Sequence, residues 1–280
     1  MNFIRKTLTT TGYNLFYTLF HPKFWTAVLL VLTVTYIRIQ PYAEIANDFN
    51  ANVSIGILSF IYSDFLFITV IFISLLLIFS DLPFKNEQQT FLLTRSGRRA
   101  WCVSQIFYII IVSITITAAA VLFTMLLLAG HLSFDDKWDK VINSVINNKL
   151  PEGFTAYPCV SKDALLVFTP QNAAVWSLIC GMFCSIMFGL IVFAVNLASG
   201  RSIGSLIGSV LISLYWLFNY TDKYFLMWFS PLEWASIDTI NWKHVSQMPT
   251  PEFALSTIAT ICTVSIITIL FCSRKGSKTV

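Results

Sequence analysis

Six apolar runs constrain this chain more than any other feature: residues 24–39, 54–80, 101–130, 173–199, 203–219 and 253–272. A helix needs about 20 mostly apolar residues to cross a bilayer core roughly 30 Å thick. Nothing in that core hydrates a bare backbone, so helices or closed barrels are the only spanning structures. The runs are continuous rather than alternating, which excludes the barrel. Only 11% of residues are charged and the mean hydropathy is +0.72, values that a water-soluble domain does not reach. The expected fold is an all-α integral membrane protein, one domain over 1–280, with six transmembrane helices. The first run is short, with Trp25 and Tyr36 near its ends at headgroup level. The second and third exceed what a crossing requires, which predicts tilt or extension beyond the lipid.

Lysine and arginine fix the orientation. Arg5, Lys6 and Lys23 precede the first run, and Lys85, Arg95, Arg98 and Arg99 lie between the second and third. Arg201 sits in the turn near 200, and Arg274, Lys275 and Lys278 end the chain. Most acids fall in the alternate segments: Glu44, Asp48, Asp135, Asp136, Asp139, Glu152, Asp163, Asp222, Glu233, Asp238 and Glu252. Basic residues mark the cytoplasmic side, so both termini are expected inside. The net charge of +4 reflects this asymmetry and carries no sign of a nucleic-acid partner.

Four polar segments interrupt the apolar pattern. Residues 2–22 read as an amphipathic interfacial helix rather than a cleaved signal. Ile4, Leu8, Leu15 and Leu19 share a face, Phe16 and Phe20 stand beside them, and Arg5 and Lys6 lie near anionic headgroups. Pro22 then forces an elbow at His21-Pro22-Lys23. The 81–100 link reads as a short amphipathic helix capped by Ser80 or Asp81, with Pro83 in its first turn and Gly97 as a left-handed stop. The outer segment 131–171 carries a capping box at Ser133 and Asp136. Trp138, Val141, Ile142, Val145 and Ile146 follow on one face, as a helix on the outer leaflet or over a pore mouth. Residues 220–251, interrupted by Pro231 and rich in aromatics, read as a re-entrant or interfacial element.

Within the runs, Asp64 is the one acid. A mid-bilayer charge costs about 2.5–3.5 kcal/mol on insertion scales, so it either lines a cavity or pairs with another helix, Arg38 being the partner at hand. Asn196 is a second intramembrane polar candidate. Gly200, Gly204 and Gly208 form a small-residue ridge, and Gly181, Ser185 and Gly189 form another. One ridge is expected to pack within the chain and the other against a second copy. Cys180 and Cys184, with Met187 a turn later, suit packing better than a Cu(I) path. Cys159 is a lone outer thiol, so no disulfide framework follows. His21, His131 and His244 are dispersed, and no metal site is expected. The chain holds no phosphate-binding G-x-x-x-x-G-K-[ST] run; SGRSIGS at 199–205 lacks the lysine. No HExxH element appears either, so the chain is read as a non-enzyme.

An amphipathic N-terminal helix, an HPKFW elbow, a long second span, a short helix closing in LLTRSGRRAW, and SPLEW between the last two spans occur in that order. This pattern resembles the ABC-2 family of ATP-binding-cassette transporter permeases, also described as type V exporter-like. The resemblance implies a coupling helix between spans two and three, seated in a cleft of a nucleotide-binding subunit. On this sequence that role falls to Phe84, Lys85, Glu87, Gln88, Phe91, Leu92 and Arg95. It further implies two copies of a cytoplasmic ABC ATPase supplying ATP and magnesium chemistry, and a second permease, identical or related. A bacterial plasma membrane location, surrounding lipid, and export of a hydrophobic or amphipathic cargo such as a peptide, antimicrobial or lipid complete the expectation. The 131–171 segment is longer than the family's minimal pattern. The alternative is a non-transporting scaffold or sensor that recruits a cytoplasmic partner with the same helix.

Overall fold

The computed structural model describes residues 3–83, 87–146, 162–221, 224–242 and 247–275. Eleven helices occur among them: α1 (Phe3–Leu19), α2 (Pro22–Asp48), α3 (Ile57–Ile61), α4 (Phe65–Phe79), α5 (Glu87–Ser96), α6 (Arg98–Leu127), α7 (Lys140–Ile146), α8 (Lys162–Val167), α9 (Pro170–Ser199), α10 (Ile203–Thr221) and α11 (Pro251–Lys275). Two two-residue strands, β1 (Val53–Ser54) and β2 (Leu132–Ser133), pair in parallel. Three 3-10 turns, Tyr224–Trp228, Glu233–Ala235 and Ile237–Thr239, join α10 to α11. Five helices, α2, α6, α9, α10 and α11, are long and apolar enough to cross a membrane. The protein is an α-helical, membrane-embedded one.

The 54–80 run departs from the single long span expected of it. Ile55 bonds to β2 through Ser133 O at 2.9 Å, α3 makes little more than one turn, and the chain breaks at Ser63–Asp64. Asp64 then starts α4 afresh, its carboxylate accepting from Phe67 N at 2.8 Å. An N-cap residue takes extended backbone angles, and Asp64 has φ −73°, ψ 123°. The 15 residues of α4 span only ~22 Å at 1.5 Å per residue. Hydropathy summed along the run is blind to this break, because the residues on both sides are apolar.

α9 is the hub. It packs on α11, α10, α6, α4 and α3, and it is the most deeply buried of the long helices. Small residues along it permit this: Ala173, Ser177, Gly181, Ser185 and Gly189 are all buried. Between lipid-embedded helices no hydrophobic gain drives association, so close backbone approach and hydrogen bonds carry it. α2 packs on α4 and α6, and a continuous core runs through all of these helices.

α1 buries its polar face and leaves most of its apolar one exposed. Its buried face is polar: Thr7, Thr10, Thr11, Asn14 and Thr18. The threonine hydroxyls bond back to carbonyls four residues earlier, which satisfies these polar groups on a buried face. Thr11 also donates to Ser104 O at 3.3 Å, and Thr18 shares a 2.8 Å hydrogen bond with the Tyr108 hydroxyl, so this face seats on α6. Ile4, Leu8, Phe16, Leu19 and Phe20 point outward. Of the apolar stripe read from the sequence, Leu15 alone is partly buried against the core. His21 then caps α2, its Nδ1 accepting from Lys23 N at 3.3 Å, and Pro22 takes the first helical position.

Hydrogen bonds sort the helix ends into two sets. Lys23 at the head of α2 reaches Asp81 beyond the tail of α4. Asn196 at the tail of α9 reaches Leu82 and the head of α10. At the opposite end, Arg38 meets Asp64, and Asn219 at the tail of α10 meets Glu233. Lys23, Arg95, Arg98, Arg99 and Arg201 therefore gather at one end, while Asp64, Asp139 and Glu233 lie at the other.

Two local expectations need correcting. Ser133 does not form a capping box with Asp136. It lies in β2, its hydroxyl donates to the Asp139 carboxylate at 3.1 Å, and α7 starts only at Lys140. Burial raises the Asp139 carboxyl above its ordinary value, and the Ser133 hydrogen bond opposes that rise. Ser80 and Asp81 close α4 rather than opening a helix at Pro83: Ser80 is the C-cap of α4, and Asp81 is taken by Lys23. Val141, Ile142 and Val145 of α7 are buried against the bundle, and Trp138 covers Gly56.

Candidate functional site

Within the 81–101 region, the described part of α5 is seated on its neighbours. Leu93 of α5 packs against the core, Ser96 is buried, and α5 as a whole rests on α1 and α6. The opposite face carries Phe91, Thr94 and Arg95, all exposed and spaced i, i+3, i+4. Leu92 is half-buried between the two faces. Gly97 has φ 85° and ψ 146°, a conformation only glycine adopts freely, and it turns the chain sharply from α5 into α6. The result is a ten-residue helix held on one side and presenting an aromatic and a guanidinium on the other. Glu87 and Gln88 lie in its first turn. Phe84 and Lys85 lie outside the described residues.

Two bonds tie this region to the spanning helices. Lys23 Nζ sits 2.7 and 2.8 Å from the two Asp81 oxygens, on the rim of a recess lined by Tyr17, Thr18, His21 and Tyr108. Asn196 Nδ2 donates to Leu82 O at 2.6 Å, while its Oδ1 accepts from Gly204 N at 2.6 Å. Asn196 is thus a clamp joining α9, α10 and the start of the link. The sequence marked Asn196 as a polar residue in lipid; its two partners, 114 and 8 residues away, are a product of the fold.

The glycines lie inside the chain's own packing. A methyl at Gly181 would meet the Tyr62 ring at 2.8 Å; one at Gly189 would meet Ile109 and Phe79, each at 2.6 Å. One at Gly208 would meet Leu76 at 2.7 Å, and one at Gly204 would strike the Val192 carbonyl oxygen. Both small-residue ridges therefore face neighbours within the chain. Gly200 is not part of its ridge: it caps α9 with φ 64°, ψ 7°, and α10 begins three residues later.

At the far end, Asp64 accepts from Arg38 Nε at 3.0 Å. Near it Tyr215 lies within electrostatic reach of both Asp64 and Glu233. Glu233 is 2% exposed and accepts from Asn219 Nδ2. Its burial pushes its carboxyl up to about 8. The sequence grouped Glu233 with the acids of the alternate segments, inside the 220–251 re-entrant or interfacial element. Its setting between Leu232 and Trp234 in an aromatic stretch was the available signal. Cys102, Cys180 and Cys184 are buried free thiols, and Cys184 Sγ lies 3.5 Å from Pro231 O. Among the described residues no group of three or more His, Cys, Asp or Glu side chains stands close enough to hold a metal.

Comparison of the chain with protein-family models, with curated proteins and with solved structures finds no match.

Proposed function

We propose that this chain is the membrane subunit of an ATP-driven ABC-2-like exporter, worked from the cytoplasm through α5. The observation that carries the reading is the Phe91–Thr94–Arg95 face, exposed on a helix whose other side is fastened to α1 and α6. A loop that merely sets topology has no need of a clamped helix offering an aromatic and a cation outward. Aromatic and arginine side chains are the residues that most often anchor protein interfaces. Motion of α5 has two routes inward, Asp81 to Lys23 on α2 and Leu82 to Asn196 on α9.

In this reading the chain crosses the membrane six times. The second crossing is made by α3 and α4 together around the Asp64 break, and both termini face inside by the positive-inside rule. Two cytoplasmic ABC ATPases hydrolyse Mg-ATP, a second permease completes the path, and the cargo is hydrophobic or amphipathic. The host is a bacterial plasma membrane.

Purification of the chain with its nucleotide-hydrolysing companion tests the reading. Replacing Phe84, Phe91 and Arg95 together with alanine is expected to abolish co-purification while the permease remains folded. Retention of the ATPase by that variant overturns the docking assignment. Full activity without any such companion overturns the exporter.

A further inference from the structure

We propose that Glu233 is a proton-binding site whose neutral form latches the cap, residues 224–242, onto the end of the bundle opposite α5. The cap is poor in regular backbone hydrogen bonds and depends on a few side-chain fastenings. Ser236 Oγ donates to Ser63 Oγ at 2.9 Å, next to the α4 break. Cys184 of α9 bonds Pro231 O, and Trp234 Nε1 donates to Met227 O at 2.9 Å. Thr239 Oγ1 donates to Glu233 O at 2.5 Å. A further fastening joins Asn219 Nδ2 of α10 to the Glu233 carboxyl, the one carboxyl among these contacts, and it is sunk between the cap and α10.

The carboxyl has an amide for a partner, Asn219 Nδ2, and makes no ion pair among the described residues. The titratable and charged groups on elements packed around its turn are Tyr215 of α10, Asp64 at the head of α4 with Arg38 bound to it, Cys184 of α9, Asp238 of the next turn and Glu252 at the start of α11. The one cation in that set is engaged by Asp64. Among the described residues no free cation faces this buried carboxylate, and a buried carboxylate without a counter-ion is strongly disfavoured, so the group holds its proton while the cap is closed. Opening the cap returns it to water, where it ionises at its ordinary value.

The sign follows from proton counting. The closed cap binds one proton more than the open cap between pH 4.5, the ordinary carboxyl value, and about 8, the buried one. Opening therefore becomes about tenfold more favourable per pH unit across that window, and is level below and above it. This inference does not depend on what the chain transports.

Hydrogen–deuterium exchange of residues 224–242 in the full chain, reconstituted in lipid nanodiscs, reads the opening directly. After division by intrinsic exchange rates, the cap amides are expected to lose about tenfold protection per pH unit and to level off above about pH 8. Glu233→Gln is expected to remove the slope, and Asp238→Asn to keep it. A flat wild-type profile, or a slope retained by Glu233→Gln, overturns the proposal. Should Glu233→Gln fail to fold, infrared spectra of wild-type protein carrying carbon-13 glutamate decide instead. A protonated carboxyl band that shifts with the label and vanishes above about pH 8 supports the latch; absence of that band at pH about 6 overturns it.

Discussion

One oxygen of Asp64 serves two helices: Oδ1 accepts from Phe67 N at 2.8 Å to cap α4, and from Arg38 Nε at 3.0 Å to hold α2. The carboxylate is nearly buried and the guanidinium less so, at 8% and 29% side-chain exposure. Charge, cap and helix-helix contact thus converge where the second apolar run breaks.

Substitution separates these roles. Asp64→Ala removes cap and ion pair and strands Arg38, with an expected loss of about 3–5 kcal/mol. Asp64→Asn keeps a good capping side chain and is expected to lose less, with Arg38→Met close to it. Thermal unfolding of the purified variants ranks them. Equal losses for Ala and Asn would remove the cap from the account.

The glycine contacts predict a graded series. Gly204→Ala drives a methyl into the Val192 carbonyl and the Asn196 amide, and is expected to destabilise by about 1–3 kcal/mol. Gly208→Ala meets chiefly the mobile tip of Leu76 and is expected to be milder. Gly12→Ala has open space and sits mid-helix in α1, so it is expected to stabilise by up to about 1 kcal/mol. Melting temperatures in one detergent check the order.

Lys23 and Asp81 are about 40% exposed, so their pairing is expected to contribute only about 0–1 kcal/mol. Asp81→Asn should leave the melting temperature almost unchanged. A large loss of transport in that variant, measured in vesicles, would assign the pair to force transmission; unchanged transport would leave only the Asn196 clamp.

Thiol labelling tests orientation. In a background with Cys159, Cys262 and Cys272 each replaced by serine, cysteine placed at Thr94 is expected to react only from the cytoplasmic side, and cysteine at Phe134 only from outside. Cys102, Cys180 and Cys184 are buried and are expected to stay unlabelled until the protein is denatured. Labelling of Thr94→Cys from outside would invert the topology and end the exporter reading.

Composition and run length alone determined that this chain lives in lipid as helices, because transfer into a bilayer is a sum over local residues that no partner can reverse. The elbow at His21-Pro22 was equally local, since proline's ring fixes its own backbone. Tertiary structure decided what those helices bury. It put the threonine face of α1 inward and Leu8 and Leu19 outward, split the 54–80 run at Asp64, turned both glycine ridges to the chain's own helices, and sank Glu233 under the cap. Each of these depends on which groups meet across tens of residues. In a membrane, where apolar faces gain nothing by meeting each other, polar contact and close fit make that choice, and neither is written in any single segment.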